Sequence, residues 1–228
     1  MKKWLLLFVL VALPITSQAQ KIGQEKPNPP PVQLKKVAVL PMAFREGDKE
    51  ATNGEAIGAY KSALIGTFEK LGMEVVDQSR VNATWRELNG SLFETAKFEL
   101  PKPEMLVSLG RKLGADYVVV TRCLWRVRSV WVGVGPKTKA NATIDLWIVD
   151  IAKSEYSLKA DSIKSDSTEK EPGWKTAVTV LVLPVSFVSG GPKTPHLKRS
   201  GVLSLMKALE PWIEKQAPDK IKINSGKL

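Results

Sequence analysis

Apolar and polar positions recur along this chain with two different periods, and the switches between them mark out its elements. Val37 to Leu40 is a short unbroken apolar run stopped by Pro41, which reads as a buried strand. From Glu55 to Lys70 the period lengthens. Ile57, Tyr60, Leu64, Phe68 and Leu71 recur at three- and four-residue spacing and so share one helical face. Gly72 is placed to end that helix. Met73 to Val76 reads as a second strand. Ser79 is placed to cap a helix over 80–88, which Asn89-Gly90 stops. Pro103 and Glu104 open a third helix, with Met105, Leu106, Leu109 and Leu113 on its apolar face and Gly114 at its end.

Tyr117 to Val134 then alternates with period two. Its odd positions include Tyr117, Val119, Cys123, Trp125, Val127 and Trp131, and its even positions Arg122, Arg126 and Arg128. One face of a strand is therefore mostly apolar and the other carries the arginines. Gly135 to Asn141 reads as the turn, followed by strands over 143–151 and 156–163. Neither connection is long enough for a crossover helix, so the three segments form an antiparallel meander. A last helix over 202–215 lines up Val202, Leu205, Met206, Leu209, Trp212 and Ile213, with Pro211 as a kink or early stop. The pattern predicts an α/β (α+β) fold: a mixed sheet with an antiparallel meander packed against helices.

The two ends read differently. Lys2 and Lys3, the apolar run Trp4 to Pro14, and the small residues Ser17 and Ala19 compose a secretory signal with cleavage after Ala19. Residues 20–34 carry Pro27, Pro29, Pro30 and Pro31 and form a semi-rigid tether. The domain is expected over 35–216 and a polar tail over 217–228. The apolar segment 177–188 is too short and interrupted for a membrane helix. It suits a buried connection, a sheet-edge partner or an oligomer contact.

Composition narrows the chemistry. A single Cys excludes a disulfide framework and multi-thiolate zinc, and a single His excludes sites needing two. No Cys stands near the cleavage point to take a lipid anchor. Cys123 has apolar neighbours and reads as a buried, inert thiol. His196 lies in a Gly/Pro-rich loop with no partner suggested. Asp145 and Asp150 fall on opposite faces of one strand and cannot work as a pair. Asp77 follows a strand end, where ligand residues of open α/β sheets sit, but suits a turn or cap better. There is no Gly-x-Gly-x-x-Gly and no phosphate loop. No catalytic residue, metal ligand or cofactor is assigned.

The net charge of +11 has one organised part. Arg122, Arg126 and Arg128, with Lys137 and Lys139 at the turn, form a candidate basic patch that suits an anionic membrane or envelope polymer. No aromatic residue interleaves with those arginines on the same face, and the secretory signal argues against a genomic role, so nucleic acid is not expected. Trp125 and Trp131 share the opposite face, and Trp147 projects away from Ile144 and Leu146. With Phe187 they form a candidate protein interface, unless helices cover them.

Four phrases carry a family likeness: Val37 to Pro41, Leu71 to Asp77, Leu109-Gly-Arg-Lys-Leu-Gly-Ala-Asp-Tyr-Val-Val-Val-Thr121, and Ile144-Asp-Leu-Trp-Ile-Val-Asp150. Across residues 36–165 the chain resembles the bacterial envelope superfamily that shares an α/β domain with the amino-terminal domain of TolB. That superfamily includes curli secretion channels and lipoprotein activators of penicillin-binding proteins. The resemblance implies an assembly or regulatory part that is not a catalyst. The expected role is a secreted, periplasmic or outer-membrane-associated module that binds another envelope protein or itself. Its rivals are an oligomeric secretion or pore subunit, and a hydrolase or small-ligand protein with a concealed site near Asp77 or the loop 45–54.

Overall fold

The structure, a computed structural model, describes residues 34–44, 48, 50, 52–93, 101–133, 135–169 and 193–216. The chain divides into two units, residues 1–33 and 34–228, and everything described belongs to the second. The signal and tether up to residue 33, the segment 177–188 with Phe187, the tail 217–228 and the side chain of Trp131 lie outside the described residues.

Six strands and four helices are described. They are β1 (Lys36–Val39), β2 (Ala43–Phe44), α1 (Gly54–Lys70), β3 (Glu74–Val75), α2 (Gln78–Asn89), α3 (Pro103–Leu113), β4 (Tyr117–Val132), β5 (Gly135–Asp150), β6 (Glu155–Asp166) and α4 (Thr194–Gln216). The sheet runs β3-β1-β4-β5-β6, and β2 pairs with β4. The β1 strand is parallel to β3 and β4, whereas β4, β5 and β6 are antiparallel. The mixed sheet with its meander is the fold class the pattern predicts.

Both faces of the sheet are covered over its first half. One buried cluster joins Val37, Val39, Val119, Ile144 and Ile148 to Tyr60, Leu64 and Phe68 of α1 and Leu205 and Leu209 of α4. The other joins Ala38, Val118, Val120, Trp147 and Val149 to Val81 and Trp85 of α2 and Leu106, Leu109 and Leu113 of α3. Alternate residues of each central strand thus feed opposite cores. Small residues let α4 lie close on the sheet. Ser204 Oγ donates to the Ala142 carbonyl at 3.2 Å, and a Cβ added at Gly201 would meet Trp125 Cζ2 at 3.0 Å. Trp212 fixes the far end of the helix. Its ring meets Phe68 and Tyr117 edge-on at 5.6 and 5.5 Å, and its indole N–H donates to Ser157 Oγ at 2.9 Å.

Several boundaries differ from the sequence reading. Asp77, not Ser79, caps α2: its carboxylate accepts from the Ser79 and Arg80 amides at 2.8 and 3.3 Å. Gly90 and Gly114 close α2 and α3 with φ of 71° and 64°, left-handed values that suit glycine. Met105 is exposed, and Val107 and Gly110 take its place on the buried side of α3. The β5 strand starts at Gly135, so 135–141 is strand and not turn. The α4 helix starts at Thr194, which places His196 in a helix and not a loop, and it continues past Pro211.

Candidate binding face of the meander

On the α2/α3 side the helices stop short of the meander's far end, and a cluster around Arg122 marks the border. Arg122 Nε donates to Asp145 Oδ2 at 2.7 Å, on the carboxylate directly across the β4–β5 ladder. Asp145 is only 1 % exposed. Its other oxygen accepts from the Ser162 amide at 2.8 Å. The ladder shifts register between Ile144 and Leu146, and Ser162 takes a positive φ of 56°. This bulge turns an amide toward the buried charge. The Arg122 guanidinium sits 5.6 Å from the centre of the Trp147 ring, whose N–H donates to Asp161 Oδ1 at 2.8 Å. Arg122 is therefore a structural cation and drops out of the basic patch.

Beyond that border the face is polar and open. A groove of about 480 Å³ runs between the strands, lined by Leu124, Arg126 and Arg128 of β4, Thr143 of β5 and Lys164 of β6. Register sets Arg126 opposite Asn141, Arg128 opposite Lys139, Val130 opposite Lys137 and Thr143 opposite Lys164. The two lysines expected at a turn are thus strand residues on the same face as the arginines. Arg126, Arg128, Lys137 and Lys164 are exposed and Lys139 is half-buried. None forms an ion pair among the described residues. The direct opposition of Arg128 and Lys139 costs stability. Asp166 and Glu169 line one end of the groove. Burial pushes the Asp166 carboxyl up, but hydrogen bonds from Thr168 and the charges of Lys139 and His196 outweigh it and hold the group below its usual range.

The proposed tryptophan surface is corrected here. Trp125 is 2 % exposed, covered by α4 and near Phe44, and Trp147 is 3 % exposed in the α2/α3 core. Their faces follow the alternation, but helices and the Arg122 cluster close over them. No local pattern in the sequence places Lys164 on this face, because its alignment with Thr143 depends on the bulge in β6.

A second concavity, of about 340 Å³, opens where β1 and β3 end. It touches Leu40, Met42, Ile57, Tyr60, Gln78 and Thr121 among others. This is where a concealed enzyme site was expected, but the nearby acids hold structure together. Asp77 caps α2, and hydrogen bonds from Ser79 lower its carboxyl pKa. Asp48 accepts from the Trp125 amide at 2.9 Å, extending the β4 edge past β2, while burial raises its pKa. Cys123 is a buried thiol, as its neighbours suggested. Among the described residues no group of three or more His, Cys, Asp or Glu side chains is placed to hold a metal. No described helix is long and apolar enough to cross a membrane.

No family model matches the chain, and no curated protein matches it. Solved structures do. Lipoprotein GNA1162 from Neisseria meningitidis is similar at 15% identity over 61% of this chain and 88% of its own, with a TM-score of 0.41. The C-terminal domain of LpoB from Salmonella enterica is similar at 15% identity over 58% and 81%, with a TM-score of 0.38. A hypothetical protein, CT253, from Chlamydia trachomatis is similar at 12% identity over 81% and 97%, with a TM-score of 0.38. These likenesses stay below the level at which a shared function follows.

Proposed function

We propose that this chain is a secreted, non-enzymatic module of the bacterial envelope that works in the periplasm and holds an acidic segment of another envelope protein on the cationic face of its meander. One observation carries the reading. Four exposed cations and Lys139 share one sheet face, two of them directly opposed, with no ion pair among the described residues. Opposed like charges are costly in the free protein and are relieved when carboxylates arrive between them. The groove beside them runs across three strands and mixes polar and apolar lining, which suits an extended segment. The amino-terminal secretory signal and the likeness to the TolB-type superfamily support the compartment and the assembly role.

The test is a photo-crosslinking side chain at Thr143, on the floor of the groove, in the full chain expressed with its signal. We expect one periplasmic protein adduct, whose yield falls at high salt and at least tenfold in the double variant R126E/R128E. The same label at Arg86, on the outer side of α2, should give no such adduct. An adduct indifferent to charge reversal, or one formed with lipid or glycan and not with protein, overturns the reading.

A further inference from the structure

The crevice at the end of the parallel strands is separate from the meander face, and its geometry is that of a small-ligand site. The chain leaves β1 for α1 on one face of the sheet and leaves β3 for α2 on the other, so β1 lies at a topological switch point. In open α/β sheets ligands settle outside the carboxyl ends of strands at such a point. Here Val39 ends β1 and Leu40 follows it, Gln78 follows β3, and Thr121 lies between the stretches of β4 paired with β1 and with β2. The volume of about 340 Å³ is at the small end of ligand pockets.

The lining is apolar with a few polar groups. Met42, Phe44, Ile57 and Leu64 supply apolar wall. Gln78 is already engaged, its amide donating to the Val39 carbonyl at 3.2 Å and to Asn82 Oδ1 at 3.3 Å. Tyr60 is not. It is 1 % exposed, and its hydroxyl has no hydrogen-bond partner among the described residues. Thr121, which also lines the crevice, acts on that hydroxyl from close by without closing a hydrogen bond. Burial pushes the phenol well above its ordinary pKa, so it stays protonated and can donate to an acceptor brought into the crevice. A buried polar group left unpaired is costly, and functional sites are where natural proteins tolerate it. At the outer side, exposed Lys61 adds a positive charge, which also reaches Asp77.

We propose that this crevice binds an apolar group bearing a carboxylate, with the apolar body against Met42, Ile57 and Leu64 and the carboxylate accepting from the Tyr60 hydroxyl beside Lys61. Two sources share that chemistry: a free medium-chain fatty acid, and the carboxyl terminus of a peptide ending in an apolar residue. The site stands on observations independent of the cationic groove.

The experiment is a titration of the isotope-labelled mature chain with octanoate, with octanamide and with a peptide ending in leucine, followed by amide NMR. At least one of the two carboxylates should give saturable shifts at Ile57, Tyr60, Gln78 and Thr121, and octanamide should bind more weakly. Tyr60→Phe removes only the unpaired hydroxyl, so the variant should fold with unchanged or higher stability and bind about tenfold more weakly. Response to octanoate alone assigns the lipid source, and to the peptide alone the protein source. No saturable shift with either carboxylate, equal binding by Tyr60→Phe, equal binding of octanamide, or shifts confined to Arg126 and Arg128 overturns the proposal.

Discussion

Asp145 shows how one residue is held in an unfavourable place. Its carboxylate is buried, and a guanidinium, a backbone amide and a strand bulge all converge on it. The two members of the pair differ in exposure, 25% for the Arg122 side chain against 2% for Asp145. That difference predicts an asymmetry. Removing Arg122 leaves a buried carboxylate without its guanidinium, while removing Asp145 leaves a cation that can turn to water. We expect Arg122→Ala to cost about 3–5 kcal/mol and Asp145→Ala about 1–3 kcal/mol in urea unfolding. Equal losses would show that the carboxylate does not need this cation. At this scale the sequence was legible as to direction only. Alternation places Trp125, Trp147 and Arg122 on their faces, but exposure depends on what packs above them. Trp125 lies under α4, some 75 residues on in the chain, at Gly201, and no local pattern carries that contact.

Among the elements, α2 depends most visibly on its end. It buries only Val81 and Trp85, so its start is fixed by Asp77. Hydrogen bonds to Ser79 lower the Asp77 pKa below its ordinary 3.8. A carboxyl lowered in the folded state stabilises fully above its unfolded value and loses that contribution as pH falls through its folded one. Asp77→Asn keeps an acceptor but cannot ionise. Its stability deficit in thermal unfolding should be constant near neutrality and shrink in acid. A deficit that does not change with pH would place the effect in cap geometry and not in charge. Helix stops were readable because Gly at a C-terminus relieves a purely local strain. Starts were harder: both Asp77 and Ser79 are good caps, and only backbone geometry separates them. Local preference alone starts β5 too late, because Gly135, Pro136 and Asn141 are turn formers. The partner strand overrides that preference by pairing from Gly135 onward.

In the whole molecule the sheet is best protected at its centre. Near Val118–Val120 and Trp147–Val149 the β4 and β5 strands have a neighbouring strand on each side and helices on both faces. The β3 strand has two residues at an edge. Native-state hydrogen exchange should therefore be slowest at those β4 and β5 amides, and much faster at Glu74, Val75 and the 126–130 end of β4. Exchange at β3 as slow as in central β5 would require a cover for that edge that the described residues do not supply.

The sequence by itself determined the identity of nearly every element, the meander, and the separation of arginines from apolar residues on β4. Each follows from chain geometry over a few residues: the two-residue repeat of a strand, the 3.6-residue repeat of a helix, the freedom of glycine at a helix end. Only the tertiary structure decided how far the helices reach across the sheet. That reach buries Trp125 and Trp147, binds Arg122 to Asp145, gathers Lys164 with Arg126 and Arg128, and leaves the Tyr60 hydroxyl unpaired in a crevice. Burial depends on contacts between segments distant in sequence, and a hydrophobic pattern states which face is apolar without stating how much of it is covered.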